Sequence, residues 1–352
     1  MRLTYYDTKK SFWLLCHIIL TVTEVDFLPK REYSYKGLIS KTRIYYPIKM
    51  PCIIYIMKQI ESRIILGDCA KELKNLKDNS IDLIFTSPPY ADSRKQTYGG
   101  VNPDKYVDWF LPISQELLRV LKPDGTFILN IKEKVVNGER HTYVMDLIIA
   151  MRVQGWLWTE EFIWHKKNSY PGKWPNRFRD SWERLIQFNK SRKFNMYQEE
   201  VMVPMGDWAA RRLKNLSETD KVRDPSKVGS GFGKNISNWV GREKAYPTNV
   251  LHMATETKNK NHSAVFPEDL PEWFIKLFTK QGNWVLDPFM GSGTTIKVSQ
   301  KMNRNSIGIE IQPEYFKLAE KDILAVQFSH NLQPVLLEKK GKYEAIKSKR
   351  RG

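Results

Sequence analysis

The chain has 352 residues, 41% hydrophobic and 27% charged, enough for one large domain with an insert or for two domains, and too much for a small stapled scaffold. Its 57 basic against 39 acidic side chains leave a formal charge of +18, which points to a polyanionic partner. Three cysteines, Cys16, Cys52 and Cys69, exclude a disulfide framework, and their separations match no four-ligand zinc site, so no metal is expected and a reducing, cytoplasmic location is.

Lys9 and Lys10 precede an apolar run from Phe12 to Val22 that has the outline of a signal peptide. The run falls short of the roughly 20 residues of a membrane span, and no small-residue cleavage pattern follows it. The apolar stretch from Pro51 to Met57 is shorter still, so no membrane partner is expected. Every chemically interpretable element begins after Met57. Residues 1–56 are therefore read as an uncertain extension, with Met50 and Met57 as alternative starts.

From Met57 onward, short apolar runs alternate with helical patterns, the rhythm of an α/β protein with a mostly parallel sheet. The pattern predicts a strand over Arg63–Leu66, a turn at Gly67 and Asp68, and a helix ending near Leu76. A second strand, Ile81–Phe85, runs into Thr86-Ser87-Pro88-Pro89-Tyr90. Two consecutive prolines cannot continue a sheet ladder, so the strand must open there into a rigid loop. In a doubly wound fold, chemistry sits just beyond such strand ends.

A helix over Tyr106–Leu121 should stop at the breaker Lys122-Pro123-Asp124-Gly125. A strand over Thr126–Ile131, a helix over Tyr143–Val153 and strands over Trp158–Trp164 and Arg184–Phe188 follow. Between His165 and about Leu251 the rhythm breaks down. It returns with a helix over Pro271–Lys280, a strand over Trp284–Leu286, a glycine turn, a helix to Gln300, a strand over Ser306–Glu310 and a last helix from Pro313 toward Leu324.

The glycine turn, Asp287-Pro288-Phe289-Met290-Gly291-Ser292-Gly293-Thr294-Thr295, lies directly between a strand and a helix. Gly291 and Gly293 permit close approach of a ligand, and the coming helix offers unpaired backbone donors. The spacing lacks both the dinucleotide fingerprint and the Gly-Lys-Ser/Thr end of a phosphate loop, which disfavours NAD and ATP. Glu310 closes the next strand, where a carboxylate can accept both hydroxyls of a ribose; a plain tight turn and a solvated capping acid are the bland alternatives.

The glycine turn resembles the S-adenosylmethionine-binding motif of DNA amino-methyltransferases, and Thr86-Ser87-Pro88-Pro89-Tyr90 resembles their catalytic motif. The catalytic motif precedes the cofactor motif, as in the permuted beta group. His262-Ser263-Ala264-Val265-Phe266-Pro267 resembles the segment that covers the methionine end of the cofactor there.

That resemblance implies a doubly wound, mostly parallel sheet with one antiparallel edge strand and a small recognition insert. It implies that Asp287, Phe289, Gly291, Gly293 and Thr294 surround S-adenosyl-L-methionine, that Glu310 meets its ribose, and that His262 and Phe266 close over it. Asp68 would approach the adenine edge or else cap the next helix. Residues 57–165 become the catalytic half, 166–251 a DNA-recognition insert with some core elements, 252–330 the cofactor-binding half and 331–352 a basic tail.

The loop chemistry suits amino methylation. An exocyclic amine is a poor nucleophile, and acceptors that take hydrogen bonds from it favour its attack on a sulfonium methyl group. Ser87 can accept through its hydroxyl and Pro88 through its carbonyl; Pro89 stiffens the loop, and Tyr90 supplies a wall for a flipped base. By resemblance to the family, serine at the first loop position implies cytosine N4, with adenine N6 as the alternative. Cytosine C5 chemistry would need a cysteine nucleophile, and Cys52 lies outside the family-like region. The expected partners are duplex DNA and, through a shared recognition sequence, a cognate restriction endonuclease. An RNA amine methyltransferase and a nonenzymatic DNA-binding protein are the other classes weighed.

Residues 166–193 carry nine basic side chains, Lys166, Lys167, Lys173, Arg177, Arg179, Arg184, Lys190, Arg192 and Lys193, against Asp180 and Glu183. With Tyr170, Trp174 and Trp182 they are expected to put several cations on DNA. Arg211, Arg212, Lys214, Lys221, Arg223, Lys227, Lys234, Arg242 and Lys244 extend the basic character.

Overall fold

Alternation along a strand decides which side of a sheet each residue faces, and in this chain both sides are apolar. The computed structural model describes residues 60–92, 100–169, 172, 175–207, 214, 240–255, 266–330 and 336–339. All belong to one compact unit, residues 57–352. The extension and its alternative starts lie outside the described residues.

Strand β1 (Ser62–Leu66) leads to the short helix α1 (Cys69–Glu72) and a 3-10 turn over Leu73–Asn75, then β2 (Ile81–Thr86). Helix α2 (Tyr106–Val120) runs directly into β3 (Leu121–Ile131). The hairpin of β4 (Val135–Val136) and β5 (Glu139–Arg140) precedes α3 (Tyr143–Val153), β6 (Leu157–Lys166) and β7 (Trp182–Asn189). A small pair, β8 (Val203–Pro204) with β9 (Lys244–Ala245), is followed by β10 (Val250–Met253). The last part comprises α4 (Asp269–Phe278), β11 (Trp284–Asp287), α5 (Thr294–Lys301), β12 (Asn305–Glu310), α6 (Pro313–His330) and β13 (Leu336–Lys339).

Nine strands form one sheet in the order β10-β6-β7-β3-β2-β11-β12-β1-β13. Its fold class is the mostly parallel α/β one that the alternating pattern predicts, doubly wound as the resemblance implies. A single strand, β7, runs antiparallel to both neighbours, β3 and β6. The antiparallel strand is expected at the edge; β7 instead lies inside the sheet, because β6 and then β10, parallel to β6, lie outside it.

Helices α1, α2 and α3 cover one face. Tyr106, Phe110, Ile113, Leu117 and Val120, spaced as one stripe of α2, meet Ile84 of β2, Phe127 and Leu129 of β3, Ile186 of β7 and Ile307 of β12. The other face takes the alternate residues. Leu83 and Phe85 of β2, Ile128 of β3 and Val285 of β11 pack with Leu270, Phe274 and Phe278 of α4. Ile64 of β1 packs with Ile296 of α5 and Phe316, Ala319 and Ile323 of α6. Burying each such side chain fully stabilises the fold by about 1.5–3 kcal/mol.

Two boundaries differ from expectation for local reasons. The breaker Lys122-Pro123-Asp124-Gly125 lies inside β3, as an irregularity where the pairing jumps from Ile81↔Leu121 to Leu83↔Thr126. Gly125 is needed there because a Cβ would fall 2.9 Å from the backbone oxygen of Asp82. The expected basic tail contains β13, which adds parallel to β1. Its sequence, Leu336-Leu337-Glu338-Lys339, has neither an apolar run nor an alternation to announce a strand. The strand of the insert, β7, is also central to the sheet, so residues 166–251 contribute core as well as connection. Among the described residues, no helix is long and apolar enough to cross a membrane.

Candidate active site

The sheet order brings together loops that are distant in sequence. β2 and β11 are parallel neighbours, so the Ser87–Tyr90 loop and the glycine turn leave the same edge of the sheet side by side. The turns after β12 and β1 leave next to them, since β11 pairs with β12 and β12 with β1.

A hydrogen bond joins the two motifs. Thr86 Oγ1 donates to Asp287 Oδ1 at 2.6 Å across 201 residues of sequence. The same carboxylate accepts from Thr295 Oγ1 at 2.7 Å and from the Phe289 amide at 3.1 Å. Asp287 is 1% exposed. Burial raises its carboxyl to about 6 in spite of these bonds. It is thus an internal brace, and Thr86 and Thr295 are residues that stand in the two motifs but to which the sequence alone assigns no role. Their signal lies in their places, at the end of a buried strand and in the first turn of a helix.

Glu310 is not the solvated acid of the bland alternative. At 3% exposure its Oε2 accepts from the Gly291 amide at 2.8 Å and its Oε1 from the Gln312 amide at 2.7 Å. Burial pushes its carboxyl up to about 7 despite those two donors. The Ile311 amide is a third backbone donor to this carboxylate, whose roughly four acceptor sites leave room for one more. Gly291 has φ 56° and would carry a Cβ into open space, so the backbone beside Glu310 is approachable. Gly293 has φ 85° and would put a Cβ 3.0 Å from Ala319 Cβ, so here glycine serves both the left-handed turn and the packing of α6. Thr294 is buried in the first turn of α5.

Asp68 caps α1, its Oδ1 accepting from the Ala70 amide at 3.0 Å. Gly67 donates to the Glu310 carbonyl at 2.9 Å, which holds this turn beside the end of β12. Asp68, Asp287, Phe289, Gly291, Gly293, Thr294 and Glu310 therefore share one end of the sheet. The rings of Phe289 and Trp109 lie 5.8 Å apart on the α2 face, whereas Phe266 sits edge-on to Phe85 at 5.4 Å on the α4 face. His262 lies outside the described residues.

In the other loop Pro88 is buried and Ser87, Pro89 and Tyr90 are half-buried. The Tyr106 hydroxyl donates to the Pro89 carbonyl at 2.9 Å, pinning the loop to α2. The Tyr90 hydroxyl donates to Glu183 Oε2 at 2.7 Å, and Ser87 Oγ lies 3.2 Å from the Tyr90 oxygen. Glu183, on β7, also receives Asn130 Nδ2 at 3.2 Å and Lys166 Nζ at 2.5 Å. Burial, and then the charge of Glu183, raise the Tyr90 hydroxyl well above its usual value, so it stays protonated. A polar cleft of about 400 Å³ opens here, lined by Tyr90, Asp92, Lys132, Arg177, Asp180 and Glu183 among others. In the sequence Glu183 figures only as a counter-charge, because its meeting with Tyr90 depends on β7 reaching back to β3.

The basic stretch divides. Lys166 is held by Glu183, Arg184 by Glu133 and Glu161, and Lys190 by the Asn79 side chain and the Leu121 carbonyl. These three are part of the protein's own framework and not a DNA-facing surface. Lys167, Arg179, Arg192, Lys193, Lys214, Arg242 and Lys244 are exposed. Lys173, Arg211, Arg212, Lys221, Arg223, Lys227 and Lys234 lie outside the described residues.

Comparison with known proteins adds to this geometry. A family profile described as DNA methylase matches residues 81–321. The type II methyltransferase M.PvuII of Proteus hauseri is 32% identical over 273 residues, covering 71% of this chain and 80% of that protein. M.HpaI of Haemophilus parainfluenzae is 29% identical over 269 residues, 74% of each. Among solved structures, the cytosine-N4-specific PvuII DNA methyltransferase superposes with a TM-score of 0.56 at 25% identity, covering 80% of this chain and 96% of that one. A Thermus thermophilus protein solved with S-adenosyl-L-methionine gives a TM-score of 0.52 at 20% identity, covering 80% and 100%, a likeness of fold.

Proposed function

The chain belongs to the DNA methylase family of amino-group (N4-cytosine and N6-adenine) methyltransferases, and from that footing we propose that it methylates cytosine N4 in duplex DNA with S-adenosyl-L-methionine as donor, protecting a short sequence from a cognate restriction endonuclease. The observation that carries this reading is the Thr86–Asp287 hydrogen bond, which sets the Ser87–Tyr90 loop beside the glycine turn. Serine at the first loop position and the likeness to a cytosine-N4-specific enzyme support cytosine as target.

The residues fit the donor. Glu310 keeps acceptor capacity for a ribose hydroxyl beside its backbone donors, and Gly291 leaves its backbone open. Asp68 would meet the adenine edge with the oxygen that is not capping α1, Phe289 and Thr294 would line the same end, and His262 and Phe266 would close the methionine side. When bound, the donor supplies an electrophilic methyl group on a positively charged sulfur. Ser87 Oγ and the Pro88 carbonyl accept hydrogen bonds from the amine, and the Tyr90 ring backs the extruded base. Alignment and electrostatic positioning do the work. The exposed cations named above hold phosphates.

The test is expression in a cell lacking DNA methylation, followed by nucleoside analysis and sequencing of its DNA. N4-methylcytosine in a fixed short context is the expected product; N6-methyladenine would move the target to adenine, and unmodified DNA would sink the proposal.

A pH dependence follows from Glu310. Ribose hydroxyls stabilise its ionised form, so donor binding lowers its pKa and is favoured once the free carboxyl, at about 7, has lost its proton. Donor affinity measured calorimetrically should fall on acidification from pH 8 to pH 6, approaching at most about tenfold per unit below the pKa. Glu310→Gln should bind weakly and lose most of this slope. A flat wild-type profile would remove Glu310 from the ribose site.

A further inference from the structure

Glu183 stands outside both motifs, yet it terminates a hydrogen-bonded chain that begins at Ser87. Ser87 Oγ lies 3.2 Å from the Tyr90 hydroxyl, which donates to Glu183 Oε2 at 2.7 Å. Glu183 is 7% exposed, and Lys166 Nζ lies 2.5 Å from its other oxygen as an ion-pair partner. An ionised carboxylate only accepts hydrogen bonds, and a tyrosine has a single hydrogen to give. With that hydrogen committed to Glu183, the Tyr90 oxygen can take part in its contact with Ser87 only as acceptor. Ser87 must then be the donor there, and its own lone pairs are turned outward.

We propose that Glu183 is a positioning residue that sets the direction of this chain, so that Ser87 presents acceptors to the target amine, and that it is the final holder of the proton the amine sheds. This deepens the reading given under Proposed function and rests on it.

The step balances. The amine lone pair forms the new nitrogen–carbon bond while the carbon–sulfur bond of the donor breaks, its electron pair leaving on sulfur. The nitrogen then carries one proton too many. That proton passes to Ser87 Oγ as the serine proton moves to Tyr90 and the tyrosine proton to Glu183, which ends neutral beside the open cleft. Ser87 and Tyr90 end as they began. The shielded, still protonated Tyr90 hydroxyl fits a group that relays a proton without ionising. Asn130 Nδ2, at 3.2 Å from the same Glu183 oxygen, keeps the carboxylate in place while Tyr90 turns over its hydrogen.

The experiment uses the full chain and a duplex oligonucleotide carrying the sequence mapped by the methylation sequencing, with 2-aminopurine beside the target base. Glu183→Gln and Tyr90→Phe each keep shape but break the chain. Single-turnover methyl transfer should slow by about 100-fold in each, the usual weight of a positioned proton acceptor. Base extrusion, read without donor from 2-aminopurine fluorescence, and donor affinity should stay within about twofold of wild type, because neither reports the chain. The double variant should be no slower than the slower single one, since both remove the same unit. Glu183→Asp should recover part of the rate. Wild-type rates in Glu183→Gln, losses that multiply, or losses confined to extrusion would overturn the relay. Should Glu183→Gln not fold, Tyr90→Phe with its solvent isotope effect decides: a rate and isotope effect equal to wild type overturn it. A wild-type protein that transfers no methyl group would instead overturn the functional reading beneath.

Discussion

Asp287→Ala is expected to lower the stability of the fold by roughly 2–4 kcal/mol and to abolish methyl transfer within an assay range of about 100-fold. The substitution strands three donors, the hydroxyls of Thr86 and Thr295 and the amide of Phe289. Each buried orphan costs about 1–3 kcal/mol. Against this, alanine removes a desolvated charge: the rise from 3.8 to about 6 corresponds to roughly 3 kcal/mol at neutral pH. The stranded donors win, by less than their number alone would imply. The sign also fixes a pH trend. Because the folded pKa is raised, wild-type stability declines as pH climbs from about 4 to 6, and the alanine variant should lack that part of the decline. Asp287→Asn keeps an acceptor for Thr86 and Phe289 and should retain most of the stability. Urea unfolding at pH 5 and pH 7 checks both statements, and an unchanged midpoint for Asp287→Ala would mean that the two loops are held together by something else.

Ser87→Ala is the second large effect. It removes the hydroxyl at the head of the Tyr90–Glu183 chain while leaving the prolines that shape the loop. We expect the single-turnover rate to fall by about 10²–10³, the usual cost of one preorganised hydrogen-bonding group. DNA affinity and donor affinity should change by no more than about threefold, since the loss is confined to the transition state. A drop carried wholly by KM would assign Ser87 to base binding and deny it a part in the chemistry.

These two residues show what could be read in advance. Ser87 and Asp287 sit in contiguous motifs whose glycines and prolines announce a turn, and short apolar runs or helical patterns lie on either side, so β2, β11, β12 and the helix α3 were legible from the sequence. Glu183 was not, because its function is created by register: β7 pairs antiparallel with β3 and with β6, setting Glu183 across from Trp164 and within reach of Asn130 and Lys166. The same blindness made Lys166, Arg184 and Lys190 look like a nucleic-acid surface. A count of charges along the chain does not reveal which of them find an acid or a carbonyl inside the fold. The short strands β10 and β13 were missed for a different reason, since β10 falls in the stretch where the rhythm breaks down and β13, Leu336-Leu337-Glu338-Lys339, has neither an apolar run nor an alternation.

The placement of β11 between β2 and β12 has a consequence for the newborn chain. Thr86 leaves the ribosome 201 residues ahead of Asp287, so at about 5–20 residues per second the front half waits roughly 10–40 s for its missing central strand. Throughout that interval the side of β2 that β11 will pair with presents unpaired backbone groups, and the Thr86–Asp287 bond cannot form. A prematurely terminated product should therefore be inert toward DNA and sticky, which makes completion of synthesis itself the event that switches modification on.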